Sequence, residues 1–334
     1  MSILKKKFIE KLQCPLSGER LLENSKENIS GLCNTSKKYF YPIKTGIPRF
    51  VPESNYADNF GLQWNHFAAT QLDSNSGHPI SEKRFWDSTG WDPSELDGEW
   101  VLDVGCGSGR FAEVALKAGA NVVALDYSSA IDACNNNLSS YPNFFPVQGD
   151  IFALPFPDES FKYIYSLGVL QHTPDVEKAF MSLPSKLMSE GKICVDFYEK
   201  SFLGLIQPKY FLRPLTKRIN KNQLFLSLKF ITPFLLKLSI MIQKIPFFGV
   251  YLKRIIPVAN YKGILPLNEL QLKEWALLDT FDWLSPTYDK PQSFKDASRM
   301  FKRAKLSNIE IFKGHHLVAR GVKSLASRKE TPGD

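Results

Sequence analysis

The chain has 334 residues, 43% hydrophobic and 23% charged. These are the proportions of a soluble globular protein of one large domain or two ordinary ones, and they exclude a disordered chain. The formal net charge of +8 points to an acidic partner and leaves nucleic acid, anionic lipid and phosphorylated substrate open.

Cys14, Cys33, Cys106, Cys134 and Cys194 form an odd, sparse set, expected as reduced thiols in the cytoplasm. MSILKKKFIEKLQC at the start lacks the apolar core of a signal peptide. No stretch offers the roughly 20 uncharged apolar residues of a membrane span. Residues 1–52 read as a compact unit with turns at CPLSGE and YPIKTGIP. Residues 53–96 are rich in aromatics, Asn and Ser, with little periodicity, and read as a lead-in segment.

From 97 to 200, strand and helix patterns alternate. EWVLDVG is a strand and RFAEVALKAG a helix; NVVALDYS is a strand and SAIDACNNNLSS a helix. FFPVQGD and FKYIYSLGVL are further strands, VEKAFMSLPSKLM is a helix, and GKICVDFYEK is a strand. Such βαβ alternation implies an α/β fold with a mostly parallel, doubly wound sheet. Residues 201–263 differ: they hold 11 Lys and Arg and no Asp or Glu, which leaves the rest of the chain near −3. They read as helical, with Pro233 and Pro246 breaking or kinking the run. Residues 264–323 return to ordinary composition, with a helix near LNELQLKEWALLDTF and a strand pair near NIEIFKG and HHLVARGVK. Residues 324–334 read as a disordered tail.

The loop within VLDVGCGSGR carries Gly105, Gly107 and Gly109, which permit a tight turn and close backbone approach to a ligand. A dinucleotide fingerprint would be G-x-G-x-x-G; the spacing here is G-x-G-x-G, with Asp103 two residues ahead. A carboxylate is a poor neighbour for a pyrophosphate and suits a ligand with an ammonium group. S-adenosylmethionine is such a ligand, and NAD is the alternative. Asp126 ends the second strand, where a carboxylate accepts ribose hydroxyls, and Asp150 ends the third, near the place of an adenine amino group. The plain alternative is that each acid caps the helix after it.

Residues 97–200 resemble a class I S-adenosylmethionine-dependent methyltransferase. VLDVGCGSGR, VVALDYS, QGDIFALPFPDESFKYIYSLGVLQHTPD and the strand after SEGKI carry the resemblance. It implies a seven-stranded Rossmann-like sheet, with Asp103, Gly105, Cys106, Gly107, Gly109, Asp126, Tyr127, Asp150 and Ile151 holding the cofactor. It also implies that SLGVLQHTPD faces the methyl group. His172 in that stretch is a candidate general base, because imidazole titrates near neutrality; a structural histidine bonding loop backbone is the alternative. Arg84 is a candidate partner for the methionine carboxylate. Tyr198, Trp283 and Tyr288 are candidate substrate contacts, with packing as the alternative for Tyr198 and Trp283.

LQCPLSGERL and GLCNTSKKYFYPIKTGIPRFV resemble the zinc-ribbon-like domain before some bacterial methyltransferases. Serine replaces the second cysteine of each pair: Cys14 goes with Ser17, and Cys33 with Ser36. Serine is a poor zinc ligand, so a degenerate ribbon without metal is expected.

In 201–263, Lys229, Lys237 and Lys244 fall within roughly 80° on a helix and leave a wide apolar face. A lid with solvated lysines is one reading. The other is a monotopic element on an anionic membrane face, or a mouth for a lipid-like or phosphorylated acceptor. Nucleic acid is disfavoured, because the basic residues interleave with Leu and Ile. The sequence therefore predicts a cytoplasmic, membrane-peripheral methyltransferase acting on a small-molecule or lipid-like acceptor. An RNA methyltransferase and a non-catalytic S-adenosylmethionine-binding protein are the alternatives.

Overall fold

A computed structural model describes residues 3–52, 55–200 and 208–325. Residues 201–207 of the basic segment and 326–334 of the predicted tail lie outside the described residues.

Two sheets organise the chain. The first is antiparallel, in the order β1 Leu21–Lys26, β2 Ile29–Asn34, β3 Phe40–Lys44 and β4 Ile47–Pro48. It shares a core with the second sheet: Phe8, Leu12, Leu21, Leu32 and Tyr41 pack with Phe145 and Val147. Phe8 stacks on Phe145 at 4.9 Å, and the Phe50 N–H donates to the Gln148 carbonyl at 2.8 Å. Positions 14, 17, 33 and 36 are occupied by protein contacts. The Cys14 thiol lies 3.1 Å from the Tyr41 hydroxyl, and Asn34 Nδ2 donates to Ser36 Oγ at 2.7 Å. No group of three or more His, Cys, Asp or Glu that could hold a metal occurs among the described residues.

The second sheet has β5 Trp100–Val104, β6 Asn121–Asp126, β7 Phe144–Gln148, β8 Phe161–Ser166, β9 Leu187–Phe197, β10 Leu306–Lys313 and β11 Leu317–Lys323. Their spatial order is β7-β6-β5-β8-β9-β11-β10, with β11 antiparallel to both neighbours. The order reverses at β5, where β6 lies on one side and β8 on the other. A doubly wound sheet opens a crevice at such a point, beyond the carboxyl ends of its strands. This is the seven-stranded Rossmann-like sheet that the resemblance implies. The strands of the first four βα units are nearly continuous apolar runs, as strands covered on both faces must be. Leu102 and Val104 face one core layer, while Val101 and Tyr165 face the other.

Four expectations are corrected. Leu187 and Met188 open β9 rather than closing the preceding helix, which ends at Met181. The lead-in segment is helical at Asp58–His66 and Ile80–Thr89, although its apolar spacing is irregular. The helix Lys221–Gln243 runs through Pro233, which lies on its exposed side. Lys229, whose carbonyl loses its partner there, is exposed too, so water can serve it. That helix, with mean hydropathy 1.7 over its best window, is also long and apolar enough to cross a membrane by length and composition. The sequence reading stopped at its lysines. Its buried residues Leu224, Leu228, Thr232, Leu236 and Ser239 follow helical spacing along the whole element and face the helix Glu269–Leu284.

Candidate functional site

A cavity of about 1000 Å³ opens at the carboxyl edge of the sheet. At one end its wall is the backbone of the glycine loop. Gly105 has φ of 80°, and a Cβ there would stand 2.4 Å from Val169; Gly107 has φ of 56°, and a Cβ would stand 3.0 Å from the Trp64 indole. Both positions therefore need glycine to keep the cradle open. The Gly105 N–H is held by the Leu125 carbonyl at 2.7 Å, so the loop is tied to the end of β6.

Asp126 stands beside that loop. Its Oδ2 accepts the Gly107 N–H at 3.0 Å, and its Oδ1 accepts the Ser128 N–H and hydroxyl at 2.8 and 2.7 Å. Burial raises its pKa, against the pull of those donors. A carboxylate accepts about four hydrogen bonds, so Oδ2 retains capacity for a ligand hydroxyl. Tyr127, Cys106 and Ile151 share this wall. A cationic ligand with a ribose fits this end: bare backbone and a carboxylate with spare capacity.

Three of the expected cofactor contacts lie elsewhere. β5 alternates faces, so Val104 lines the cavity and Asp103 turns away, toward Tyr165 on β8. Asp103 Oδ2 has no hydrogen-bond partner, and burial pushes this carboxyl up to about 8 despite the opposing Tyr165 hydroxyl. Asp150 is outside the wall, accepting the Phe152 N–H at 2.9 Å, while Gly149 and Ile151 on either side line it. Gly109 caps the helix Arg110–Lys117 with φ of 92° and packs against Leu138 and Cys134.

His172 lines the cavity beyond the loop. Its Nδ1 is 3.0 Å from the Tyr288 carbonyl. A carbonyl only accepts, so the neutral ring carries its proton on Nδ1 and leaves Nε2 as an acceptor. Phe60 and Tyr198 pack on the ring at 5.1 and 5.4 Å. Tyr288 therefore acts through its backbone; its ring packs on Tyr56 at 5.5 Å and lies outside the cavity wall. Tyr198 and Trp283 do line the cavity, and the Tyr198 hydroxyl donates to Asp282 Oδ2 at 3.1 Å.

Arg84 reaches the cavity from the lead-in helix, with its charge already engaged: Nη2 donates to Asp196 Oδ2 at 2.7 Å. Burial alone would raise Asp196, but the Arg84 guanidinium and the Gly168 N–H hold it below the usual carboxylate range. Arg84 Nε has no partner.

Residues 102–195 match the family model described as a methyltransferase domain. Three curated relatives are similar to part of the chain. Phosphoethanolamine N-methyltransferase 2 of Caenorhabditis elegans is 32% identical over 31% of this chain and 25% of its own length. Sterol 24-C-methyltransferase erg6 of Schizosaccharomyces pombe is 38% identical over 25% of this chain and 23% of its own. Ubiquinone biosynthesis O-methyltransferase of Coxiella burnetii is 31% identical over 32% of this chain and 47% of its own. Residues 102–195 are a class I methyltransferase domain. The chain spans 23% to 47% of the length of these relatives.

The far end of the methyltransferase cavity holds residues the sequence did not single out. Arg110 stacks over Phe111 at 4.4 Å, on the ring that Arg84 also approaches at 5.2 Å. Burial, with Arg84 adding to it, pushes Arg110 down to about 9. Asp279 accepts from the Tyr261 hydroxyl, and burial pushes it up to about 6. His315 and His316 at the turn between β10 and β11 are pushed down by burial to about 4 and about 3, so both are neutral at neutral pH. One signal was available: Trp275, Asp279, Asp282 and Trp283 are spaced as one helix face, and all four line the cavity. Arg110 and the two histidines gave none, because their neighbours come from distant segments.

Proposed function

We propose that the protein transfers a methyl group from S-adenosylmethionine to a small, lipid-like acceptor. The observation that supports this best is the single cavity running from the glycine loop of the methyltransferase domain to a mouth beside the basic helices. The fit at the cofactor end rests on Gly105, Gly107, Asp126, Tyr127, Cys106 and Ile151. When bound, the cofactor supplies an electrophilic methyl group on a cationic sulfur. Asp126 binds the sugar hydroxyls through Oδ2. Asp103 supports the loop from behind rather than meeting the ligand. Arg84 orients the methionine carboxylate through its free Nε edge while Asp196 fixes its other side.

His172 Nε2 accepts the proton that an acceptor hydroxyl or ammonium must lose, and the Tyr288 carbonyl keeps the ring in the tautomer that can do so. Tyr198, Asp282 and Trp283 hold the acceptor near that nitrogen. Lys209, Tyr210, Ile264 and Leu265 form the outer wall and mix apolar surface with one cation. That mixture suits an acceptor with a hydrocarbon body and an acidic group. The curated relatives act, by their names, on phosphoethanolamine, a sterol and a ubiquinone precursor, which supports the same class.

The test is to incubate the full chain with methyl-labelled S-adenosylmethionine and a lysate of its own source depleted of this enzyme. Label in the organic phase supports a lipid-like acceptor. Label confined to water-soluble small molecules removes the lipid part of the reading, and label in RNA overturns the acceptor class. Cofactor binding without any label turns the reading to a non-catalytic binder. With the acceptor found, His172→Gln should lower kcat by about a hundredfold or more if Nε2 takes the proton.

A further inference from the structure

The acid-free segment shows two faces. On the helix Lys221–Gln243, Leu224, Leu228 and Leu236 are buried against the helix Glu269–Leu284. On the opposite arc, Leu226, Phe230, Phe234, Leu238 and Met241 recur at intervals of three and four, and all are exposed. Phe230 is 73% and Phe234 66% exposed, with rings 5.8 Å apart. Five large apolar side chains along one uncovered stripe are unlike the scattered apolar residues of an ordinary surface.

The stripe continues at both ends. Phe211 and Leu215 are exposed on the helix Pro208–Thr216, before it in sequence. Beyond it, Phe247 is 92% exposed at a turn where its φ of 65° is left-handed, and Phe248, Tyr251 and Ile255 are exposed near it. A bulky residue in that region of φ and ψ is held by its surroundings, here at the cost of presenting a phenyl ring to water.

The segment's own charges have one sign. Lys229, Lys237 and Lys244 lie on one shoulder of the stripe, all exposed, and form no salt bridge among the described residues. Lys217, Arg218 and Arg254 add to them, and no Asp or Glu occurs between 201 and 263. A protein partner would leave the lysines needing carboxylates at fixed places. A membrane with anionic headgroups meets both features at once, since apolar side chains enter the acyl boundary while cations stay at headgroup level.

We infer that the segment 208–256 seats the protein on an anionic membrane surface, with the mouth of the cavity at that surface. The second half of the statement rests on the lipid-like acceptor proposed above. The helix Pro208–Thr216 links the two: Lys209 and Tyr210 line the cavity, while Phe211 and Leu215 face outward one and five residues on. Ile264 lines the mouth and is itself exposed. The seat is interfacial and not a crossing, because the helix Lys221–Gln243 is fastened to Glu269–Leu284 along its length and carries Lys229 and Lys237 near its middle.

The experiment is co-sedimentation of the full chain with two sets of vesicles: phosphatidylcholine alone, and phosphatidylcholine with about one-third phosphatidylglycerol. S-adenosylmethionine binding is titrated on the same samples. The expected result is binding to the anionic vesicles at least about tenfold tighter than to the neutral ones, weakened by salt. Lys229→Glu/Lys237→Glu/Lys244→Glu should lose about tenfold or more, as should Phe230→Ser/Phe234→Ser, with cofactor affinity unchanged in both. Absence of binding to anionic vesicles overturns the inference, as does parental binding by both variants. Resistance of the cell-expressed protein to alkaline extraction overturns the surface seat in favour of a crossing. A dimer in solution that the Phe variant dissolves, without vesicle binding, overturns it in favour of a second copy of the chain. Cofactor binding without vesicle binding removes this inference alone; vesicle binding without cofactor binding removes the catalytic reading alone.

Discussion

The glycine-loop end of the cavity and the helical segment 208–256 are built on opposite principles. Around the loop, two buried acids are each held by specific donors: Asp126 by Gly107 and Ser128, Asp196 by Arg84 and Gly168. In the helical segment, large apolar side chains stand in solvent beside Lys229, Lys237 and Lys244, which form no salt bridge among the described residues. In the first region each contact is specific and costly to lose, because a buried polar group without its partner keeps its full desolvation penalty. In the second, the exposed face contributes little to folding, and its composition is free to serve something outside the chain. Substitution should therefore separate the two regions by the size and kind of its effects.

The largest effect is expected at Asp196, which is 0% exposed and ion-paired with Arg84. Asp196→Ala strands a guanidinium in the cavity wall and should cost about 3–5 kcal/mol, read by chemical denaturation. A loss below about 1 kcal/mol would mean that Arg84 swings to water, and that this wall is less rigid than its hydrogen bonds indicate. Next is Asp126→Ala. It releases the Gly107 and Ser128 donors and removes the proposed sugar contact, so cofactor affinity should fall by about ten- to a hundredfold in calorimetry. Unchanged affinity would move the cofactor away from the end of β6.

The same contrast governs what the sequence disclosed. The glycine loop, Asp126 and the strands β5 to β8 were legible because each depends on local pattern: spacing of glycines, and apolar runs between turn signals. His172 was legible as a candidate, but its tautomer depends on a carbonyl at Tyr288, 116 residues away. Arg84 was picked out as a free cation, and its tie to Asp196 spans 112 residues. Asp103 was assigned to the ligand from its place in the motif, yet strand alternation turns it to the other face. The helix Phe294–Arg303 went unread although its capping box, Ser293 with Asp296, was visible in SFKD. In the helical segment the sequence showed composition and period. Which arc would be covered depended on Leu278 and Phe281 of a later helix.

A third prediction concerns pH and tests whether burial at Asp103 is as complete as its lack of a partner indicates. The folded carboxyl holds its proton up to about 8, whereas the unfolded one releases it near 3.8. Between those values the unfolded state binds fewer protons, so stability falls as pH rises, and the contribution is fully lost once the folded group also ionises. Asp103→Asn removes that part of the slope. Its denaturation free energy should change less between about pH 5 and about pH 8 than the parent's. Asp279, pushed up to about 6, retains a slope of the same sign in both proteins. Identical pH dependence in variant and parent would show that Asp103 is ionised in the folded state and has found a partner or water.

The smallest effect is the one that defines the helical segment. Phe234→Ser removes a ring that is 66% exposed, on the arc facing away from the helix Glu269–Leu284. A surface substitution of this kind is expected to change stability by no more than about 0.5 kcal/mol. Cofactor affinity should not change, since Phe234 is absent from the cavity wall. Leu228→Ser, on the buried arc of the same helix, should instead cost about 2–5 kcal/mol through the cavity it leaves and the hydroxyl it buries. The pair uses one helix as its own control, because propensity and length are the same for both positions. If Phe234→Ser proved as damaging as Leu228→Ser, the outer arc would be covered in the folded chain, and a surface kept for an outside partner would have no basis.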